Sequence, residues 1–192
     1  MAKMTVLSLI QDHIDAAIRL KECEADILRA ASATIKAVKS GNKVLLAGNG
    51  GSAADCQHFA AELVGRFEME RKAVPAIALT TDSSALTAIS NDFGFNKVFT
   101  RQVEALGKEG DLFFGITTSG ESQNIALALE AARARGMKTI VLTSKRAKNI
   151  RQSCDVCIKV NSTSTARIQE MHIVIIHIIC ALIDQQLGDE DL

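Results

Sequence analysis

Five short apolar runs, at residues 44–47, 76–79, 112–116, 139–142 and 156–160, recur along this chain with segments of helical periodicity between them. The runs are continuously apolar rather than alternating, which marks strands covered on both faces. Strands alternating with helices pair in parallel through right-handed crossovers. The expected fold is therefore α/β, a three-layer sandwich with a five-stranded parallel sheet flanked by helices. The intervening helices are expected near 53–66, 83–90, 97–106 and 121–135, and a closing helix over 165–187. Ahead of the first strand, Leu7, Ile10, Ile14, Ile18, Leu28, Ile35 and Val38 recur at helical spacing over residues 4–39. They predict a long N-terminal helix, in one piece or two, ending near Gly41. In such sheets ligands bind beyond the carboxyl ends of the strands, so the loops there are where chemistry is sought.

Length and charge narrow the options. At 192 residues, with Pro75 as the single proline and no repeat or Gly/Ser-rich linker, the chain is expected to form one domain over residues 1–192. A fold of this size buries about 70% of its unfolded surface and needs no covalent staples. Lys plus Arg and Asp plus Glu both number 22, which argues against a nucleic-acid partner held by bulk charge. The longest mainly apolar run, 173–183, is interrupted by His177 and falls short of the ~18 residues of a membrane span. Residues 1–4 open into an amphipathic helix without a signal-peptide pattern, so a cytoplasmic protein with no membrane partner is expected. Five cysteines, at 23, 56, 154, 157 and 180, make an odd and scattered set for a disulfide framework. Cys154-Asp155-Val156-Cys157 has zinc-like spacing but no second pair to match it, and is taken as two small residues on a strand.

Three features carry candidate chemistry. The first is the loop Ala47-Gly48-Asn49-Gly50-Gly51-Ser52 between a strand and a helix, where glycines admit close backbone approach and the helix start suits an anion. Gly48-x-Gly50-x-x-Ala53 matches the dinucleotide fingerprint in form. That fingerprint wants an acid about 20 residues on, and here the next strand ends at Asp82, 34 residues beyond Gly48. A Walker A loop is excluded, since no Gly-Lys-Ser/Thr follows. The second is Thr117-Thr118-Ser119-Gly120-Glu121-Ser122, four hydroxyls at a helix start. One would suffice as a cap; four with free amides make a phosphate cradle without lysine. The third is the helix opened by Ser52, where Asp55, His58 and Glu62 share one face within about 60°. Ser52-x-x-Asp55 fits a capping box and His58–Glu62 a surface pair. The same residues equally suit a divalent metal or an acid–base pair, and spacing leaves both readings open. On the closing helix, His177 sits among isoleucines, as a satisfied core histidine does. Gln169 lies eight residues before it, about 12 Å along the axis. One helix cannot easily bring both to one ion, so different subunits are expected to supply them if both serve one kind of site.

Taken together, Gly48-Asn49-Gly50-Gly51-Ser52, Gln57-His58-Phe59-Ala60-Ala61-Glu62-Leu63, Pro75-Ala76-Ile77-Ala78-Leu79, Ser90-Asn91-Asp92-Phe93-Gly94-Phe95, Thr118-Ser119-Gly120-Glu121-Ser122 and Arg167-Ile168-Gln169-Glu170-Met171-His172 with His177 resemble the sugar isomerase (SIS) domain family over nearly the whole chain. The resemblance implies an aldose–ketose isomerase that converts sedoheptulose 7-phosphate to D-glycero-D-manno-heptose 7-phosphate, the first step of bacterial heptose biosynthesis. It implies a cytoplasmic homotetramer with sites at subunit interfaces, and one zinc per subunit held by His58, Glu62, Gln169 and His177. By motif position, Thr117, Thr118, Ser119 and Ser122 would hold the phosphate. Asn49, Gly50, Gly51, Ser52, Arg66, Asn91 and Asp92, with Glu62 and Gln169, would line the sugar site. Glu62 as base and His177 as acid is the catalytic assignment the family suggests; Asp55 is the substitute proton carrier if zinc takes both. A second branch of the family keeps the fold and binds a replication initiator without catalysis. Those relatives lack groups matching Glu62 and His177, so this chain goes with the enzymes. It departs from the family at Ser144-Lys145-Arg146-Ala147-Lys148-Asn149, where a Gly-Gly loop is common. Thr117 stands where Ser is also common, and Glu121 places a negative charge beside the phosphate loop.

Overall fold

The computed structural model describes residues 5–147 and 150–188, the side chains of 151 and 152 excepted. The expected helix start at residue 4 and the last two positions of the 144–149 loop lie outside the described residues. The N-terminal helix comes in two pieces, α1 (Val6–Arg19) and α2 (Glu24–Lys39), joined by a 3-10 turn at Leu20–Cys23. Thr5 opens α1 in a reciprocal capping box with Ser8. Then follow β1 (Val44–Gly48), α3 (Gly51–Val64), β2 (Ala76–Ala78), α4 (Ser83–Phe93), α5 (Val98–Leu106), β3 (Leu112–Ile116), α6 (Gln123–Ala134), β4 (Lys138–Ser144), β5 (Val156–Val160) and α7 (Thr165–Leu187).

The five strands pair in parallel in the order β2-β1-β3-β4-β5. Alternate residues of each strand point to opposite faces. Val44, Leu46, Leu112, Phe114, Ile140 and Ile158 pack under α2, α3 and α7, where Phe59 meets Phe114 edge-on with ring centroids 5.3 Å apart. Leu45, Ala47, Phe113, Val141 and Cys157 pack under α5 and α6. This is the expected three-layer sandwich. Cys154 lies in the turn before β5 rather than on the strand, and all five cysteines are free thiols.

The closing helix needs a correction to the membrane reading. α7 is long and apolar enough, by length and composition, to cross a membrane. Six of its apolar residues serve the core: Ile168, Met171, Ile175, Ile176, Ile179 and Ile183 are buried in one cluster with the sheet and with α2 and α3.

Near its end, α7 buries a charge. Asp184 is 1% exposed; its Oδ2 accepts the Glu68 and Met69 amides at 2.9 Å each, and its Oδ1 accepts Arg71 Nε at 2.7 Å. Arg71 also donates to the carbonyls of Glu62 (2.8 Å) and Leu63 (2.9 Å), the last turn of α3. Burial alone raises the Asp184 pKa; the two amides and the guanidinium outweigh it and hold the carboxyl below the ordinary carboxylate range. A depressed folded-state pKa contributes stability above the unfolded value of about 3.9, lost as pH falls through the folded value. Asp184→Asn leaves Arg71 buried and unpaired and is expected to cost about 3–5 kcal/mol in denaturant unfolding at neutral pH. The loss should shrink as the wild type is acidified below pH ~4; a loss under about 1 kcal/mol would show the pair to be dispensable.

Candidate active site

β1 ends at Gly48, where an added Cβ would collide with the Ser52 carbonyl oxygen, so only glycine allows this turn into α3. Gly50 is the N-cap of α3, in the left-handed region at φ +57°, and no side chain caps the helix. The expected capping box is therefore absent. α3 begins at Gly51, one residue before Ser52, and Ser52 is buried inside the first turn. A glycine makes the turn, so no hydroxyl is recruited to make it. Asp55 is left with its Oδ2 buried and without a partner among the described residues. Burial pushes its pKa up to about 6, against a smaller lowering by His58.

α3 and α7 both run antiparallel to the strands and so lie parallel to each other, in a single register. At the start of α3, Gln169 meets Gly51, where a Cβ would run into the Gln169 side-chain amide. Two turns on, His177 meets His58, their Nε2 atoms 2.9 Å apart and their rings tilted at 47°. His58 Nε2 is also 3.4 Å from Glu62 Oε1, and Phe67 stacks at 5.3 Å on the His177 ring. His177 is thus not the satisfied core histidine. The buried core histidine is His172, with Nε2 3.1 Å from the Thr143 carbonyl oxygen, Nδ1 without a partner among the described residues, and its pKa lowered by burial to about 4.

Two imidazole nitrogens and a carboxylate oxygen meeting around His58 are the donor types zinc takes. The 2.9 Å between nitrogens is a few tenths of an ångström under the ~3.3 Å that two imidazoles at a tetrahedral zinc require, so small side-chain movements would fit the ion. Among the described residues no three His, Cys, Asp or Glu close into a finished metal cluster. Gln169 stands at the other end of α3, apart from the three.

The phosphate-type loop follows β3. Thr117 Oγ1 and Ser122 Oγ lie 2.9 Å apart; Thr117 Oγ1 accepts the Gly120 amide at 3.2 Å, and Ser119 Oγ accepts the Glu121 amide at 3.1 Å. Ser122 is the N-cap of α6 but its side chain makes no cap bond. The hydroxyls fold the loop on itself and leave the first amides of α6 without a side-chain acceptor. Ser144 Oγ donates to the Thr118 carbonyl at 2.7 Å, and Ala147 fills the space a Cβ at Gly120 would need. The turn after β4 therefore buttresses this loop. Glu121 is exposed.

The remaining expected residues stand apart. Arg66, exposed after α3, donates to the Glu68 carbonyl at 3.3 Å. Asn91 and Asp92 are exposed on α4 and, among the described residues, bond only to each other, at 2.8 Å. A groove of about 640 Å³ lies elsewhere, between the 3-10 turn, α2 and α7. Sequence reasoning missed Asn124, whose amide pairs with that of Asn49, though a polar residue heading the run Ile125-Ala126-Leu127-Ala128-Leu129 was visible as an anomaly.

With Oδ2 buried and unbonded, the Asp55 carboxylate costs the fold stability where it is ionised. With a folded pKa near 6 against about 3.9 unfolded, its contribution is intact below pH ~4 and lost as pH rises through 6. Asp55→Asn should match the wild-type melting temperature near pH 4 and exceed it above pH ~6.5. An asparagine variant no more stable at pH ~7.5 would place that carboxylate in contact with water or a cation.

The SIS domain family model matches residues 11–144. The phosphoheptose isomerase of a Nitratiruptor species is 56% identical over 165 residues, 86% of this chain and 88% of its own. The solved phosphoheptose isomerase of Neisseria gonorrhoeae superposes with a TM-score of 0.88 at 43% identity, over 94% of this chain and 97% of that one. That of Francisella tularensis gives 0.86 at 40% identity, over 95% and 100%. With a matching family model, near relatives along almost its full length and the same backbone, the chain belongs to the SIS domain family.

Proposed function

We infer that this protein is an aldose–ketose isomerase that converts sedoheptulose 7-phosphate to D-glycero-D-manno-heptose 7-phosphate. The observation that carries the reading is the meeting of Glu62, His58 and His177 between α3 and α7, in a fold whose hydroxyl-lined start of α6 suits a phosphate. The relatives' shared activity supports it. The phosphate sits in the Thr117, Thr118, Ser119 and Ser122 loop on the amides of α6, where the helix dipole favours an anion. Asn49, Gly50, Gly51 and Ser52 line the sugar, with Arg66, Asn91, Asp92 and Gln169 at its margin.

The ketose carbonyl is at C2. A carboxylate removes a proton from C1, the electron pair forms the C1–C2 double bond, and O2 is protonated to give an enediol. O1–H then loses its proton, the C1 carbonyl forms, and C2 takes up a proton. Glu62 is the base at carbon and His177 the proton carrier at oxygen. Asp55, with its pKa pushed up to about 6, carries the proton where a metal holds both. His58, Glu62 and His177 would hold one zinc per subunit, with Gln169 contributed across a subunit boundary. Bound there, zinc supplies a Lewis acid for the carbonyl oxygen.

The assembly is a homotetramer in the cytoplasm with its sites at subunit interfaces. In support, α1 leaves Val6 75%, Leu7 78%, Ile10 50%, Ile14 42% and Ile18 57% exposed, an apolar stripe that a second copy would cover.

Incubating metal-loaded and chelator-treated protein with sedoheptulose 7-phosphate, and following aldoheptose signals by NMR, tests the reading. Conversion that falls on chelation and returns with zinc is the expected result; no conversion under either condition would overturn it. Glu62→Gln should keep the tetramer and phosphate affinity while turnover falls ~100-fold or more, the scale of a general base. Near-normal turnover would remove Glu62 from that role.

A further inference from the structure

The strand order places β2 and β3 on opposite sides of β1, so the sheet changes its direction of growth between β1 and β3. Crevices beyond the carboxyl ends of strands at such a point are where α/β sheets take ligands. The glycine-rich turn lies on one side of this crevice and the hydroxyl loop on the other. A reciprocal amide pair spans it: Asn49 Nδ2 donates to Asn124 Oδ1 at 2.9 Å, and Asn124 Nδ2 donates to Asn49 Oδ1 at 2.8 Å. Among the described residues this is the one side-chain hydrogen-bonded link between residues 48–52 and residues 117–124.

The two amides differ in setting. Asn124, the second residue of α6, is 3% exposed, whereas Asn49 is half-buried at the head of the turn. A primary amide has two N–H donors and two acceptor lone pairs, and the pair uses one of each from either side. Asn49 therefore keeps one donor and one acceptor, and two bonds rather than one stop its amide from rotating. A purely structural tie is not required here, because β1 and β3 are already paired in register from Val44–Leu112 to Gly48–Ile116.

We propose that Asn124 is a positioning residue for the isomerisation. It fixes the Asn49 amide toward the sugar, and it links the helix start that seats the phosphate to the glycine-rich turn that opens α3. The proposal rests on the isomerase reading above. It predicts that Asn124 acts through Asn49 alone, on turnover and not on phosphate affinity.

The test is a cycle of Asn124→Ala, Asn49→Ala and the double variant in the full-length protein. kcat and KM are measured on sedoheptulose 7-phosphate, with inorganic phosphate as competitive inhibitor and melting temperature recorded beside them. Asn124→Ala should lower kcat about tenfold, the scale of a lost positioning contact, while the phosphate inhibition constant stays within about twofold of wild type. In the Asn49→Ala background the second substitution should lower kcat no further. Asn124→Asp, isosteric but unable to donate to Asn49 Oδ1, should fall between wild type and Asn124→Ala, which also covers an alanine variant too unstable to assay. Unchanged kcat in Asn124→Ala, additive losses in the cycle, or a loss confined to KM and phosphate inhibition would each overturn the proposal. A wild-type protein that converts no substrate would overturn the isomerase reading itself, a result separable from these.

Discussion

The register of α7 against α3 is the constraint on which the site depends. Three contacts set it along the two helices: Gln169 at Gly51, His177 at His58, and Asp184 at the Glu68–Arg71 segment that follows α3. A one-residue slip of α7 would move each side chain by about 1.5 Å and turn it by about 100°, carrying His177 away from His58. The apolar faces of the helices would tolerate small slips, since hydrophobic contact is non-directional. The buried Asp184–Arg71 pair does not, because any slip leaves a desolvated charge without its partner. Arg71 also holds the carbonyls of Glu62 and Leu63, so the group that fixes the register fixes the end of α3 that bears Glu62.

The sheet's polarity then gathers the chemistry. Parallel strands send every following loop, and the start of every following helix, to one edge. Two helix starts there are used in opposite ways. α3 begins on a left-handed glycine and brings backbone close to whatever binds, while α6 begins behind hydroxyls bonded to one another and to loop amides. Neither helix consumes its own first amides in a side-chain cap, so both retain anion-binding capacity. Glu121 beside the hydroxyl loop is compatible with this. Its side chain is exposed, where water and salt screen it, and its position at a helix start is one that favours a carboxylate.

Much of this was legible in the sequence. The continuous apolar runs at 112–116 and 156–160 are the strands β3 and β5, and 165–187 is α7, because doubly covered strands and a core helix leave unmixed signals. The glycine-rich and hydroxyl-rich loops announced themselves by composition. What failed were local readings that tertiary contacts override. Ser52 and Asp55 have the spacing of a capping box, but Gly50 already makes the turn. His177 lies between Ile176 and Ile178 and His172 between Met171 and Ile173, and only the helix's orientation against β4 and α3 decides which is buried. Asn49–Asn124 and Arg71–Asp184 join residues 75 and 113 positions apart, and no period or motif in one sequence links such pairs.

Where polar groups are left unsatisfied is also informative. Four buried side-chain atoms among the described residues lack a partner: Asp55 Oδ2, Thr143 Oγ1, His172 Nδ1 and Thr100 Oγ1. The first three belong to α3's first turns, the end of β4 and the α7 turn between Gln169 and His177, around the carboxyl edge of the sheet. At the opposite edge Asp111 is fully engaged, taking the Lys43 amide, its ammonium and the Lys108 amide. A buried polar atom without a partner costs about 1–3 kcal/mol. Among the described residues the fold bears that cost around the edge where the loops gather and avoids it at Asp111, where the chain only joins its strands.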